Sequence, residues 1–548
     1  MIRITWETCR WPLILISLWM ITLTGIHSIP LEDHEVLVLQ TTREMESRGD
    51  WILPSFNYEP RLKKPPLNYW VTALLSRLDP FSEDVKIWHG RFISLLAGLI
   101  MVLATYHAGK TLFDPAIGKL ASLLLLGMQG YISLSHSARP DFLYSAFCAL
   151  QLFAWMYAWK EEDDTARQRI YGWLGWGGAG LATLTKGPQG PAVLLVGVLV
   201  FLLCGSDRKR TLKVMRPFVG IAIFCLLVLP WWFLLQQRLT EMNVNLSETQ
   251  LSGSLLQNLV SWEELLRFYY PLYLFYLMIP ASLIFLFMIP RLWKLREKMS
   301  TPTKILLYAS AALLIIFTVG GHYRKHYLLP LLPVFSILIA STIRTAAFPR
   351  LQGMWKRGMI AFLAVLAVLC LGLIIHGKGY ASLLWIFLNM IPLWLLLRQE
   401  VKNSSWAESL FSTQLLKVSV VLVIIVTGCI AYLPSGQNQW RRSEQLFSES
   451  IGKTLQAGDL IVYWQSGSLI LPFYVKQPVT RFDEYAKLAS YFQENRDKHT
   501  IYAVVPKPEI SNFSARFENN VLLIMENPHR PEKEFVFVKL TAVRNIQP

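Results

Sequence analysis

Along most of the chain, apolar runs of membrane-crossing length alternate with short polar or proline-broken connections. The runs fall at residues 12–29, 87–106, 116–134, 142–159, 171–185, 191–204, 217–235, 271–289, 304–320, 327–343, 359–375, 381–397 and 416–433. Most are long enough to cross a hydrocarbon core of ~30 Å as a helix, and the pattern predicts about thirteen such helices. Two stretches depart from it. Residues 31–78 are polar and mixed, and their spacing predicts a short amphipathic helix. Val36, Leu39 and Met45 lie near one face of that helix, with Arg43, Glu44 and Arg48 near the other. Beyond residue 433 the apolar runs shorten to 460–464, 500–505, 521–525 and 535–540, separated by polar turns, as in strands. The fold class expected is a polytopic α-helical membrane protein, with a transmembrane domain over 1–433 and a small soluble α/β domain over 434–548.

Composition sharpens this picture. A hydrophobic content of 53% is too high for a string of soluble domains of this length. The net charge of +16 could suggest nucleic acid, but the position of the bases excludes that reading. They gather at 160–169, at Arg208, Lys209 and Arg210 with Lys213 and Arg216, and at 291–298, 344–357 and 398–402. These are alternate loops, as the positive-inside rule requires with the N-terminus cytoplasmic. A basic surface also attracts an anionic lipid substrate. An odd number of spans then puts the C-terminal domain on the outer, periplasmic side. The six cysteines lie in the N-terminal leader or in apolar runs without metal-like spacing, so neither a disulfide framework nor structural zinc is expected. Arg3 and Arg10 precede an apolar run as in a signal peptide, but 26–30 is no small-residue cleavage site, so the first span is expected to be retained.

With that topology the polar clusters fall on the outer face. Asp33 and Glu35 follow the first span and are candidates for a general base, or else cap the next helix. Asp141 sits at a turn near the membrane surface, where an ionisable group is costly unless paired or functional. It could bridge to Arg139, cap the helix or serve chemistry. Lys64 precedes Pro65 and Pro66, which bar it from a helix interior and present its ammonium as a point charge for a phosphate, with Lys63 and Arg61 in support. Ordinary lipid-headgroup contact is the plainer use. Thr185-Lys186-Gly187-Pro188 turns the chain between two apolar runs, and Lys186 either holds phosphate or pins the turn. Finally, 322–327 reads His-Tyr-Arg-Lys-His-Tyr, where Arg324, Lys325, His326 and Tyr327 could clamp an anion and stack on a sugar. An interfacial anchor of aromatics and bases is its alternative. A metal on His322 and His326 is disfavoured by the adjoining cations.

The ordered motif Arg43-Glu44-Met45, Gly49-Asp50-Trp51, Pro54, Phe56-Asn57, Lys64-Pro65-Pro66-Leu67 and Tyr69-Trp70 resembles the first periplasmic loop of one family. That family is the lipid A aminoarabinose transferases and the related polyprenol-dependent protein mannosyltransferases, membrane glycosyltransferases of the GT-C fold. Thr185-Lys186-Gly187-Pro188 and the 325–330 segment, Lys-His-Tyr-Leu-Leu-Pro, resemble further family hallmarks. The pieces at 471–474 and 502–505 resemble the C-terminal domain of the aminoarabinose transferases.

The resemblance implies an Asp-Glu pair in the first loop. Counting back from Arg43 puts Glu35 in the Glu slot and His34 in the Asp slot, with Asp33 one position off. A one-residue shift restores it, so Asp33 is the first choice and Glu35 the second. Leu37 stands where the family has an Arg, which removes one phosphate contact. The resemblance gives Asp141 a catalytic-site role and Lys64 the donor phosphate. Lys63 replaces an acid that is among the plausible metal ligands in relatives, which counts against a divalent metal without excluding one. The activity implied is an inverting transfer of a sugar from a polyprenyl-phosphate donor at the outer face of a bacterial inner membrane. The acceptor is lipid A, or a protein or another envelope glycan if the sugar is a hexose such as mannose. An oligosaccharyltransferase is disfavoured, because Trp231-Trp232 runs into Phe233 and not into an acid. A lipid-linked sugar transporter, the rival from another class, would show mid-helix charges and paired halves that this pattern lacks.

Overall fold

The computed structural model describes residues 6–23, 26, 29–161, 165–204, 208–242, 269–279, 281–282, 285–286, 289, 299–319, 324–345, 436–526 and 533–544. The spans expected at 359–375, 381–397 and 416–433 lie outside these residues, as do His322 and Tyr323. The chain divides into two compact units. One comprises Met1–Ile26, Leu62–Val71 and Arg91–Tyr432, the other His27–Arg61, Thr72–Gly90 and Leu433–Pro548. The second unit thus takes in most of the first polar loop, where the sequence pattern had placed a single cut near residue 433.

In chain order the elements are α1 (Trp6–Thr22), α2 (Asp33–Arg48), the small hairpin β1 (Ser55–Phe56) and β2 (Glu59–Pro60), and α3 (Leu67–Leu78). There follow α4 (Ile87–Leu112), α5 (Pro115–Leu126), α6 (Gln129–Ser135), α7 (Pro140–Lys160), α8 (Ala166–Lys186) and α9 (Gln189–Cys204). Next come α10 (Arg208–Met215), α11 (Pro217–Glu241), α12 (Tyr269–Leu277), α13 (Thr301–Val319) and α14 (Leu331–Thr345). The C-terminal region holds α15 (Gly436–Thr454), β3 (Leu460–Trp464), α16 (Leu471–Val475), β4 (Val479–Phe482) and α17 (Tyr485–Asn495). It closes with β5 (Ile501–Pro506), α18 (Ile510–Arg516), β6 (Phe517–Met525) and β7 (Phe535–Val543).

The first unit is a polytopic helical membrane fold. Among the described residues, Ile87–Leu112, Pro140–Lys160, Arg208–Glu241 and Thr301–Thr318 are long and apolar enough to cross a membrane. The span expected at 116–134 is instead two helices, α5 and α6, bent by 55°. The break has a local cause: Gly127 closes α5 by donating back to Leu123, and Gln129 N–H leaves the helix to donate to Ile279 O at 2.9 Å. The first helix also lies earlier than the 12–29 expected from its apolar run, ending at Thr22. There the Thr22 carbonyl meets His136 Nε2 at 2.5 Å, beside the turn that leads to Asp141.

The second unit is built on a five-stranded mixed sheet in the order β4-β3-β5-β7-β6. β3 runs parallel to β4 and β5, while β7 is antiparallel to β5 and β6. Its central strands are buried on both faces, and they alternate between two cores. Val462 and Trp464 face Leu488, Phe492 and Phe513, whereas Ile461 and Tyr463 face Phe447, Ile451 and Leu471. The edge strand β4 also holds the hairpin. The Asn57 side chain donates to Val479 O at 2.9 Å and accepts from Val479 N–H at 2.8 Å, mimicking a strand neighbour.

The helix expected from the amphipathic pattern is α2, but one face of it was misjudged. Glu44, placed with the outward charges by its spacing, is fully buried. It accepts from Ser55 Oγ at 2.5 Å, Tyr58 N–H at 2.9 Å and Gln40 Nε2 at 2.9 Å. A buried carboxylate is tolerated where donors surround it, and these donors fold the loop back onto the helix.

Candidate active site

In the first unit, three elements bring ionisable groups together at helix ends. Pro140 opens α7, where its missing N–H costs nothing, and Asp141 lies in the first turn, favoured by the helix dipole. α8 ends at Lys186, and Gly187 follows at φ +114°, a conformation that excludes a side chain. Lys186 Nζ donates to Asp141 Oδ1 at 2.5 Å, with both side chains less than a tenth exposed. The ammonium also lies 4.3 Å from the Tyr327 ring centroid and 5.2 Å from that of Tyr144. Tyr144, one turn along α7 from Asp141, accepts from Gly190 N–H and so ties α7 to the start of α9. The cation is thereby enclosed by one carboxylate and two aromatic faces.

The third element is a tight turn, Lys325–Leu328, leading into α14. It brings His326 Nε2 to 3.9 Å from Asp141 Oδ1 and sets the His326 ring edge-on to Tyr327 at 4.9 Å. Burial pushes the His326 imidazole down to about 3, with Asp141 opposing and Lys186, Arg139 and Arg324 adding to the shift. The imidazole is therefore neutral near pH 7, and the charge of Asp141 is balanced by Lys186. Arg324 and Lys325 are exposed, the latter 5.7 Å from the Tyr276 ring centroid. Lys64 is half-buried ahead of the buried Pro65 and Pro66, with Lys63 exposed beside it.

The two first-loop acids belong to the second unit, and the structure distinguishes them. Glu35 is buried in the first turn of α2, and its carboxylate accepts the Glu32 N–H at 3.0 Å as a capping box. Asp33 starts the same helix about one-third exposed, 3.6 Å from Lys533 Nζ. Of the two carboxylates, that of Asp33 is the more exposed. Arg61, also in this unit, donates its N–H to Pro54 O at 2.8 Å. Among the described residues no three His, Cys, Asp or Glu side chains come together as metal ligands would.

Sequence reasoning singled out Asp141, Lys186, His326 and Tyr327 on separate grounds, and the fold gathers all four. It missed Tyr144, although its position three residues after Asp141 puts it on the same helical face. It also missed Glu44 and Lys533, whose partners lie outside any local pattern.

Comparison with known proteins bears on this arrangement. The family model for dolichyl-phosphate-mannose-protein mannosyltransferases matches residues 63–233, from Lys63 through the 185–191 turn to Phe233. An uncharacterised protein of Aquifex aeolicus (strain VF5) is 27% identical over 367 residues, covering 66% of this chain and 68% of its own. The undecaprenyl phosphate-alpha-4-amino-4-deoxy-L-arabinose arabinosyl transferase of Yersinia pestis (strain Pestoides F) is 22% identical, covering 79% of this chain and 82% of its own. In three dimensions the chain superposes on ArnT from Cupriavidus metallidurans, solved with undecaprenyl phosphate bound, with a TM-score of 0.70 at 17% identity. That match covers 97% of this chain and 98% of the other.

Proposed function

We propose that this chain, a member of the aminoarabinose-transferase-like GT-C superfamily, transfers a sugar from a polyprenyl-phosphate donor to an acceptor at the outer face of a bacterial inner membrane. The acceptor oxygen attacks the anomeric carbon from the side opposite the phosphate. As the new C–O bond forms, the bond to the phosphate oxygen breaks, and polyprenyl phosphate leaves with the electron pair and one more negative charge. The configuration inverts. Catalysis then needs a cation for the leaving phosphate, a carboxylate for the acceptor, and a site dry enough to keep water from competing.

The observation that carries this reading is the buried Asp141–Lys186 pair, walled by Tyr144, Tyr327 and His326. A fold that needed only to span a membrane would gain nothing from two buried charges at the ends of apolar helices. With Lys186 held by Asp141, the phosphate falls to Lys64 with Arg324 and Lys325, while Lys186 fixes Asp141 in place. His326 and Tyr327 face the sugar, and Asp33 orients the acceptor.

The first reading of the substrates is 4-amino-4-deoxy-L-arabinose passed to a lipid A phosphate. An ionised phosphate needs no base, so Asp33 would orient it or pair with the amino group of the sugar. A second reading, transfer of a hexose to a protein hydroxyl, draws support from the mannosyltransferase model over 63–233. There Asp33 would remove the hydroxyl proton. In both, the N-terminus is cytoplasmic and the C-terminal region periplasmic. The test is release of polyprenyl phosphate by the purified full chain, given undecaprenyl phosphate 4-amino-4-deoxy-L-arabinose or undecaprenyl phosphate mannose with lipid A or a Ser/Thr peptide. Acceptor-dependent release lost in Asp141→Ala and Lys64→Ala is the expected result. Movement of lipid-linked sugar without turnover would replace the transferase with a transporter.

A further inference from the structure

The acid at the start of α2 is held by residues from the distant C-terminal region. One side of α15 carries Arg441, Glu444 and Gln445, and each has a partner in the second unit. Gln445 Oε1 accepts Leu31 N–H at 3.4 Å, and Arg441 Nη1 donates to Glu32 Oε1 at 2.6 Å. Lys533, just ahead of β7, brings its ammonium to 3.6 Å from Asp33 Oδ2 and 4.7 Å from the Trp440 ring centroid. Two successive acids, Glu32 and Asp33, are therefore each matched to a cation more than four hundred residues away in sequence.

The two pairs differ in kind. Arg441 and Glu32 are hydrogen-bonded, which suffices to tie the α2 N-terminus to α15. Lys533 is beyond hydrogen-bond distance of Asp33, so it acts on that carboxylate through charge and leaves its lone pairs open. A pair about one-third exposed on both sides contributes at most ~1 kcal/mol to stability, too little to explain an ammonium set against a buried indole. Lys533 and Asp33 both lie near the buried Glu444 of α15, so the ammonium also offsets the repulsion between the two acids.

We infer that Lys533 is a positioning residue for the transfer reaction, keeping the Asp33 carboxylate in a fixed orientation for the acceptor. The inference rests on the acceptor role given to Asp33 under the proposed function, and it makes the C-terminal α/β unit a contributor to catalysis. The neutral variant Lys533→Met should lower kcat while leaving KM for the donor unchanged. Lys533→Arg keeps the charge and should restore kcat.

The experiment uses the full chain in detergent, with undecaprenyl phosphate 4-amino-4-deoxy-L-arabinose or undecaprenyl phosphate mannose as donor and lipid A or a Ser/Thr peptide as acceptor. It compares kcat and KM for the donor in wild type, Lys533→Met, Lys533→Arg and Asp33→Asn. Alongside, melting temperatures of Asp33→Asn, Lys533→Met and their double variant report whether the two side chains interact at all. A lowered kcat at unchanged KM in Lys533→Met, restored by arginine, with non-additive melting shifts, supports the inference. An unchanged kcat in Lys533→Met, where Asp33→Asn abolishes turnover, overturns it and leaves the role of Asp33 standing. Full turnover in Asp33→Asn overturns the acceptor role instead. Absence of turnover in wild type with every donor removes both.

Discussion

Replacing Lys186 by methionine keeps the stem of the side chain and removes the charge that faces Asp141. At 2.5 Å and an effective dielectric of about 20, the two charges attract by about 7 kcal/mol. Desolvation of both groups offsets much of that, so the pair itself is worth little. The measurable quantity is the cost of leaving Asp141 buried without its cation, about 3–5 kcal/mol. Loss of the faces of Tyr144 and Tyr327 adds about 1 kcal/mol. Solvent screening calls for no discount here, since the side chains are 6% and 8% exposed. At ~2 °C per kcal/mol for a large chain, the melting temperature should fall by about 8–12 °C. The double variant Asp141→Asn/Lys186→Met, with no orphaned charge, should recover more than half of that loss. Tryptophan fluorescence of the detergent-solubilised chain follows both. Shifts that are small, or that simply add in the double variant, would refute the claim that Lys186 holds Asp141. The same claim predicts that Lys186→Met leaves affinity for undecaprenyl phosphate within about threefold while kcat collapses, because Asp141 is no longer held for the transition state.

Single features carry the other predictions. Asp84 takes hydrogen bonds from Arg43 at 2.6 Å and lies 2.7 Å from Lys476. Burial pushes its carboxyl up, but the two cations outweigh burial and leave it below the usual range. Its contribution to stability is thus present above pH ~4 and lost as pH falls through the lowered pKa, so Asp84→Asn should flatten the acid side of a melting-temperature profile. Glu444 has the opposite sign: burial raises its pKa, so stability is greatest below its unfolded value and falls as pH rises through the folded one. Glu444→Gln should therefore gain on wild type at neutral pH and not at pH 4, in the same melting series. Glu44→Ala strips the acceptor from Ser55 and Tyr58 and should cost about 3 kcal/mol, seen as faster proteolysis of residues 49–60. Gly187→Ala forces a side chain onto φ +114°, at about 1–3 kcal/mol, and should lower turnover by displacing Lys186.

Much of the architecture could be read from the chain because it is governed by local pattern. Leu460–Trp464 occupies β3 to the residue, and α2 lies where the spacing of Val36, Leu39 and Met45 put a helix. Hydropathy alone failed at 116–134, because the α5–α6 break depends on Gly127 and on a hydrogen bond to Ile279, more than a hundred residues on. Periodicity failed at Glu44, because the donors that make its burial tolerable sit in the following hairpin. The candidate site was legible residue by residue and not as a pairing. Lys186 reads in sequence as a cation available to phosphate, and only the packing of α8 against α7 shows it committed to Asp141. Counting along the chain could likewise not show that Glu35 is tied into a capping box while Asp33 lies near a lysine from the end of the chain.

The second unit is stitched from segments made at very different times. Arg43 bonds to Phe473 O, Asn57 to Val479 and Arg441 to Glu32, partners separated by 430, 422 and 409 residues. At ~5–20 residues per second of synthesis, α2 and its hairpin must wait roughly 20–80 s for the strands and helix that complete them. During that interval the apolar face of α2 lacks the C-terminal elements it packs against. The order of synthesis thus makes the first loop the last part of the protein to mature. A chain released before Gly436 would carry every helix of α1–α14 and still present α2 to proteases.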